Sequence, residues 1–188
     1  MDCLDFLSRR RSVPARLLGE PGPTQEQVQA MLAAAVRVPD HGKLAPWRFL
    51  CIRGDARQAL GELLATRLLE REPAAAPAQL DKERQRFVHA PLVLAVVACL
   101  VPGHKVPEQE QLLSGGALCF ALLQAAQALG FGAQWLTGWA AYDPAITARL
   151  GLASNERILG FIHIGTPQAE APERPRPDPM QRLADWTP

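Results

Sequence analysis

The feature that most constrains this sequence is an unbroken apolar run, LVLAVVACL, from Leu92 to Leu100. A strand with one face in water alternates apolar and polar residues, whereas a strand covered on both faces is apolar throughout. The run is also shorter than the roughly 20 apolar residues that a membrane-spanning helix needs. It therefore predicts the central strand of a sheet that has helices on both faces.

The segments around this run show helix and strand patterns in turn. Thr24 and Gln27 have the spacing of a capping box, which marks the start of a helix. Gly115 and Gly116 lie inside a long helical pattern, where glycine costs about 1 kcal/mol relative to alanine, so close packing or a ligand is expected there. Apolar spacing predicts helices over residues 2–9, 24–35, 55 to the breaker at 73–77, 80–87, 108–129 and 144–150, and strands over 47–53, 92–100, 131–138 and 158–165.

The balance of charge excludes a general nucleic-acid binder. The chain has 188 residues, with 20 Lys and Arg against 19 Asp and Glu and a formal net charge of +1. This balance provides no positive field that would attract nucleic acid. The length fits a single domain over residues 1–188. We expect neither nucleic acid nor a membrane as a partner.

Cysteine spacing and the N-terminal residues predict a cytoplasmic protein. Cys3, Cys51, Cys99 and Cys119 are far apart and form no CxxC pair, so no metal site or redox motif is expected. They are interpreted as buried thiols in a reducing compartment. Acidic residues precede the first apolar residues and positive charges follow them, which is the reverse of a secretory signal.

The last 23 residues, 166–188, differ in composition from the rest of the chain. They contain six of the 17 prolines, and large apolar side chains are scarce before Met180, Leu183 and Trp186. Such a segment cannot form a core of its own. It is either a loose tail or an arm that lies along another surface, and Trp186 favours the arm because an indole is costly to leave exposed.

Three polar segments are candidates for binding. Arg9, Arg10, Arg11 and Ser12 supply charge and donors that suit a phosphate group, although a solvated basic turn at the end of a helix would look the same. The loop from Arg37 to Trp47 carries Arg37, His41 and Lys43 together with two prolines, and loops of this kind often form sites. A solvated surface histidine is the alternative for His41.

The third candidate segment, Gly130–Trp139, ends a predicted strand with small and aromatic residues. Backbone N–H groups near Thr137 and Gly138 could reach a planar ligand, or the segment is a core strand that turns at Gly138. The sequence lacks GxGxxG, GxxxxGK[ST], GxSxG and HExxH, and no cysteine has a neighbouring histidine. A site without a protein nucleophile is typical of enzymes in which a cofactor carries the reaction.

Taken in order, the motifs resemble the nitroreductase family, and most closely its branch of small NAD(P)H nitroreductases. The resemblance covers nearly the whole chain. It rests on Arg10-Arg11-Ser12, Arg37-x-Pro-Asp-His41, Pro46-Trp47, Ala90-Pro91, His104-Lys-Val-Pro107, Gly130-Phe-Gly, Trp135-x-Thr-Gly138 and Gly160-Phe-x-x-x-Gly165-Thr-Pro167.

The resemblance implies an α+β fold, a three-layer sandwich whose central, mainly antiparallel sheet is flanked by helices. It also implies an intertwined homodimer with one FMN at each of two interface sites, and a Pro-rich C-terminal arm, residues 166–188, packed on the partner subunit. Periodicity alone does not fix the strand directions.

The resemblance also implies a set of cofactor-binding residues. Arg10, Arg11 and Ser12 would hold the FMN phosphate and ribityl region or the polar edge of the ring, and Arg37 and His41 would reach the flavin from the other subunit. Trp135, Leu136 and Thr137 would line it, and Arg174 or, preferably, Arg176 would add a phosphate contact. Leu136 stands where some relatives carry a basic residue, and Thr137 stands in place of a serine.

The expected function is an FMN-dependent oxidoreductase that passes electrons from NADH or NADPH to nitroaromatic, quinone or similar acceptors by a ping-pong mechanism. No protein residue is expected to be catalytic, since the flavin carries the chemistry, although His41 is a candidate helper. The alternatives are a flavin-fragmenting or dehalogenating enzyme on the same fold, or a non-catalytic flavin- or anion-binding dimer.

Overall fold

The computed structural model describes residues 2–188, which form six α-helices and five strands. The helices are α1 (Cys3–Arg9), α2 (Gln25–Ala35), α3 (Asp55–Arg71), α4 (Pro77–Gln85), α5 (Glu108–Ala128) and α6 (Pro144–Arg149). The strands are β1 (Leu18–Gly19), β2 (Trp47–Arg53), β3 (Leu92–Cys99), β4 (Gly132–Leu136) and β5 (Glu156–Pro167).

The five strands form one sheet in which β3 and β5 are central. β3 pairs with β2 on one side and with β5 on the other, and β5 pairs in turn with β4 and, at its end, with β1. All of these pairings are antiparallel. This confirms the mainly antiparallel sheet that the family resemblance implied.

β3 is buried on both faces, as its composition predicted. Leu92, Leu94 and Val96 pack in a core that α2 and α5 cover. Val93 and Ala95 point the other way, into a core with Leu64 of α3 and Ile146 of α6. Successive residues of a strand face opposite sides of the sheet, so a strand between two helical layers needs an apolar residue at every position. The fold is therefore a three-layer α+β sandwich.

The helix starts and the glycine pair have local explanations. The Gln27 N–H donates to Thr24 Oγ1 at 3.3 Å and the Thr24 N–H donates to Gln27 Oε1 at 2.9 Å, so the predicted capping box forms. A Cβ at Gly115 would overlap Leu159 of β5, whereas a Cβ at Gly116 would meet no atom within 4 Å. Of these two glycines, close packing thus requires only Gly115.

Some predicted boundaries differ from the structure. Pro77 does not only break a helix: it begins α4, because proline is tolerated at the first helical position, where its missing N–H has no partner to lose. β5 starts two residues before the predicted strand and runs to Pro167, so the chain leaves the sheet after that residue. The short β1 has no recognisable pattern in the sequence.

The expectation of buried thiols was wrong for two of the four cysteines. Cys119 is buried in the core, but Cys3 and Cys51 are exposed and Cys99 is half-buried. Cys3 lies on α1, which buries none of its residues. Cys51 lies on β2, which pairs only with β3 and so forms an edge of the sheet. None of the helices within residues 2–188 is both long and apolar enough to cross a membrane.

An ion pair joins the two strands that flank β3. Arg48 of β2 donates to both carboxylate oxygens of Glu156, the first residue of β5, at 2.6 and 2.7 Å. The Glu156 side chain is only 11% exposed. The hydrogen bonds from Arg48 lower the pKa of Glu156 from 4.5 to about 2. A carboxylate whose pKa is lower in the folded state stabilises the fold above its unfolded pKa, and this stabilisation is lost as the pH falls through the folded pKa.

Glu156→Gln is expected to lower the free energy of unfolding at pH 7 by about 1–2 kcal/mol, because it weakens a charged hydrogen-bond pair. The difference from the wild type should shrink as the pH falls from about 5 towards 2. Urea titrations at several pH values measure it. Glu62→Gln is the control, since Glu62 is 62% exposed in its pair with Arg84. A difference that stays constant with pH would contradict this interpretation.

Candidate functional site

Four arginines from the two ends of the chain lie together. Arg11, Arg174 and Arg176 line a cavity of about 210 Å³ together with Ser12 and Gln134. Arg10 lies near enough to Arg176 and Arg174 for their charges to act on it. We call these four residues, Arg10, Arg11, Arg174 and Arg176, the arginine cluster.

Backbone contacts at one edge of the sheet bring these segments together. The Val13 N–H donates to the carbonyl oxygen of Ala133 at 3.0 Å, and the Ala15 N–H donates to Gln134 Oε1 at 2.6 Å. These bonds hold the chain after α1 across the start of β4. The tail begins beside it, since the Gln168 N–H donates to the Leu17 carbonyl oxygen at 2.8 Å.

The arginine cluster carries an excess of positive charge. Burial, followed by the charges of Arg176 and Arg174, lowers the pKa of Arg10. The Arg10 guanidinium also lies over the Phe120 ring, 5.6 Å from its centroid. The acidic partners of the cluster are Glu173, which contacts Arg11 and lies 3.6 Å from Arg176, and Glu170, 3.9 Å from Arg11. Four cations against two carboxylates leave charge for a further anion to neutralise.

The donors of the cluster fit a phosphate group. The Nε of Arg11 is buried and has no hydrogen-bond partner among residues 2–188, although a buried donor without a partner is costly. Guanidinium groups present paired donors that match phosphate oxygens, and their charge strengthens each bond. The Ser12 side chain lines the same cavity. A phosphate in this cavity would neutralise the excess charge and supply acceptors.

The β4 residues that were predicted to line the cofactor lie next to this cavity. Gln134 lines it, and Trp135 and Leu136, each 37% exposed, come next along the strand. The Trp135 indole N–H donates to the Leu159 carbonyl oxygen at 3.0 Å. The indole covers Gly160, where any Cβ would overlap it. The β4 surface thus leads from the arginine cluster towards Thr137 and Gly138.

Arg86 is a candidate site residue that the sequence did not reveal. Its guanidinium lies so close to Gly138 that a Cβ there would be 3.1 Å from its Nη1. Gly138 has a φ of 76°, which favours glycine. Glu83 holds Arg86 through two bonds, at 2.7 and 2.5 Å. In the sequence, Glu83 and Arg86 look like an ordinary surface pair on a helix, so no signal set them apart.

His41 lies away from the arginine cluster in the same chain, and Arg37 does not line its cavity. The His41 Nδ1 is 2.6 Å from Glu110 Oε2, near the start of α5, and the Arg37 side chain is exposed. Arg10 contacts α5 ten residues further along, at Phe120, which is about 15 Å at the helical rise of 1.5 Å per residue. Within one chain, His41 and Arg10 therefore face different stretches of α5.

A larger cavity and a buried histidine are less suited to binding a phosphate group. The larger cavity, about 590 Å³, is bordered by α6 and the start of β5, and its carboxylate, Glu156, is already paired with Arg48. It lies beside Leu159, next to the Trp135 indole. His163 is buried in the core and stacks on Phe87. Burial lowers the pKa of His163 to about 4, which disfavours its doubly protonated, charged form.

The comparisons with known proteins identify the family of this fold. A family model described as "Nitroreductase family" matches residues 7–166. The Escherichia coli K12 protein named "Putative NAD(P)H nitroreductase YdjA" is 39% identical over 174 residues, 91% of each chain. A "Putative NAD(P)H nitroreductase" of Haemophilus influenzae is 34% identical over 172 residues, again 91% of each chain.

Solved structures share the fold at lower identity. A nitroreductase-like family protein from Bacillus cereus has a TM-score of 0.86 at 23% identity, covering 99% of this chain and 96% of that one. The FMN and NADPH-dependent nitroreductase NfnB from Sphigopyxis sp. strain HMH has a TM-score of 0.77 at 19% identity, covering 100% and 99%. These structures share the fold, and the family match over residues 7–166 together with the 39% identical E. coli relative establishes that the chain belongs to the nitroreductase family.

Proposed function

We propose that the protein is an FMN-dependent oxidoreductase that passes electrons from NADH or NADPH to a nitroaromatic, quinone or similar acceptor by a ping-pong mechanism. The observation that carries the proposal is the arginine cluster, with its excess charge and the buried, unpartnered Nε of Arg11 among residues 2–188. The names of the relatives from E. coli and H. influenzae support NAD(P)H as the electron donor.

The chain's own residues would bind and orient the cofactor. Arg10, Arg11, Ser12 and Arg176 would hold the phosphate, and Trp135, Leu136 and Thr137 would line the rest of the molecule. Arg86, held in place by Glu83, would offer guanidinium N–H donors beside Gly138 to acceptor groups of the bound cofactor. Bound FMN would supply the redox chemistry, taking electrons from NAD(P)H and giving them to the acceptor.

A second copy of the chain would complete the site. One side of α5 exposes Leu113 and Phe120, which are 63% and 42% exposed, with Gly116 and Ala117 between them. Two copies packed antiparallel through this face would form a two-fold symmetric interface. The His41 end of one α5 would then lie against the Phe120 end of the other, so that Arg37 and His41 reach the partner's arginine cluster.

The C-terminal arm is part of the same proposal. Met180, Leu183 and Trp186 are 66%, 64% and 85% exposed. Apolar side chains so exposed on a Pro-rich segment favour a second surface that covers them. We assign this surface to the partner subunit. The four unpaired thiols are in keeping with a cytoplasmic location.

The alternative functions predict different reactions. A flavin-fragmenting or dehalogenating enzyme would bind FMN but reduce nitro compounds and quinones slowly or not at all. A non-catalytic binding protein would not oxidise NAD(P)H. No contact among the described residues favours either alternative over the proposed oxidoreductase.

Arg10→Ala is expected to raise the Kd for FMN about tenfold to hundredfold, because it removes a charged donor from the phosphate. Titration of flavin fluorescence measures the Kd. The matched control is Arg9→Ala, one residue earlier, whose side chain is 74% exposed and paired with Asp5; its Kd should stay within about twofold of the wild type. Equal affinity of both variants for FMN would count against the arginine cluster as the phosphate site.

Leu113→Glu tests whether a second copy completes the site. A charge in the centre of an apolar interface is costly, so this variant is expected to sediment as a monomer and to bind FMN more weakly than the wild type. Leu69→Glu is the control, because Leu69 is 45% exposed on α3, away from this face. A Leu113→Glu variant that remains a dimer in sedimentation velocity would refute the assigned interface.

A further inference from the structure

Glu173 lies inside the arginine cluster rather than beside it. Its carboxylate contacts Nη2 of Arg11 and lies 3.6 Å from Nη2 of Arg176. It lines the same cavity of about 210 Å³ as Ser12 and these two arginines. The carboxylate thus uses donors that the proposed function assigns to the phosphate of FMN.

We propose that Glu173 competes with the FMN phosphate for the arginine cluster and thereby limits the affinity of the protein for FMN. The inference rests on the proposed function, because it assumes that this cluster holds the phosphate. A carboxylate and a phosphate accept the same paired donors from a guanidinium. Two anions that use the same donors repel each other, so phosphate binding is weaker while Glu173 occupies Arg11 and Arg176.

The position of Glu173 in the chain allows this withdrawal. It lies in the C-terminal arm, between Pro172 and Pro175, beyond the last residue of β5. Its side chain is 57% exposed, and it contacts the cluster through ion pairs to Arg11 and Arg176 and a hydrogen bond from the Arg174 N–H. Ion pairs as exposed as these hold a side chain weakly. A rotation of the side chain towards solvent is enough to free the two arginines.

The hydrogen bonds of Glu173 keep it charged at neutral pH. The Arg174 N–H donates to Glu173 Oε1 at 2.9 Å. This bond, followed by the charge of Arg11, lowers the pKa of Glu173. The competing anion is therefore present throughout the physiological range of pH.

If Glu173 competes with the phosphate, it should weaken the binding of FMN but not that of a flavin without a phosphate. Glu173→Gln removes the charge but keeps the shape of the side chain, so the variant is expected to bind FMN about fivefold more tightly than the wild type. Riboflavin, which has no phosphate, should bind both proteins equally. The effect should weaken as ionic strength rises, because salt screens exposed charges.

The experiment titrates full-length, flavin-free protein with FMN and, in parallel, with riboflavin, following the quenching of flavin fluorescence. The matched control is Glu170→Gln, which makes the same change of charge in the same arm. Glu170 is 92% exposed and 3.9 Å from Arg11, so its removal should change the Kd for FMN by less than about twofold.

The outcomes separate this inference from the proposed function. Tighter FMN binding by Glu173→Gln alone, with riboflavin unchanged, supports the competition. Unchanged or weaker FMN binding overturns it, and weaker binding would mean that Glu173 positions Arg11 for the phosphate. Equal effects of both variants overturn it in favour of a general effect of charge. A wild type that binds FMN while Glu173→Gln behaves identically refutes this inference only, whereas a wild type that binds neither flavin refutes the proposed function and the inference together.

Discussion

Because β3 sends alternate side chains into two separate cores, both faces of the sheet must be covered by helices. Its neighbour β5 is buried in the same way over Phe161–Ile164. The buried middle of these two strands therefore offers no surface for a ligand, and burial lowers the pKa of His163, which lies on β5. Binding residues have to come from the edge of the sheet and from the segments that leave it.

The edge formed by β1 and β4 meets this requirement. The chain after α1 and the chain after β5 both run past it, which joins Arg10 and Arg11 to Arg174 and Arg176 across more than 160 residues of sequence. Like charges are brought together only where the rest of the fold holds them. The same edge continues along β4 to Gly138, beside which Glu83 holds the Arg86 guanidinium.

Local patterns predicted the elements whose causes are local. The capping box at Thr24 and Gln27 and the burial of β3 follow from a few adjacent residues, and the structure contains both. Strand direction depends on which distant segments pair, so the antiparallel order came from the family resemblance and not from periodicity. Cys51 is exposed on the edge strand β2 while the next residue, Ile52, is buried, and no pattern within β2 reveals which of its positions the helices cover.

In the candidate site, too, the sequence predicted the residues that stand out locally but not the contacts between distant segments. The arginines of residues 9–12 stood out by composition, and the structure brings Arg10 and Arg11 together with Arg174 and Arg176. The contact of Arg86 with Gly138 joins α4 to the end of β4 and has no trace in the sequence around either residue. His41 pairs with Glu110 near the start of α5, whereas Arg10 lies over Phe120 further along it, so the proposed roles of Arg37 and His41 need a second copy of the chain.

The central claim is that the arginine cluster makes this chain a flavoprotein that accepts electrons from a nicotinamide nucleotide. The most direct measurement is the visible absorption spectrum of the purified protein, loaded with FMN if needed, before and after anaerobic addition of NADPH and then NADH. We expect the purified protein to show the bands of oxidised flavin and at least one nucleotide to bleach them. A colourless protein that fails to take up added FMN, or a bound flavin that neither nucleotide bleaches, would contradict it.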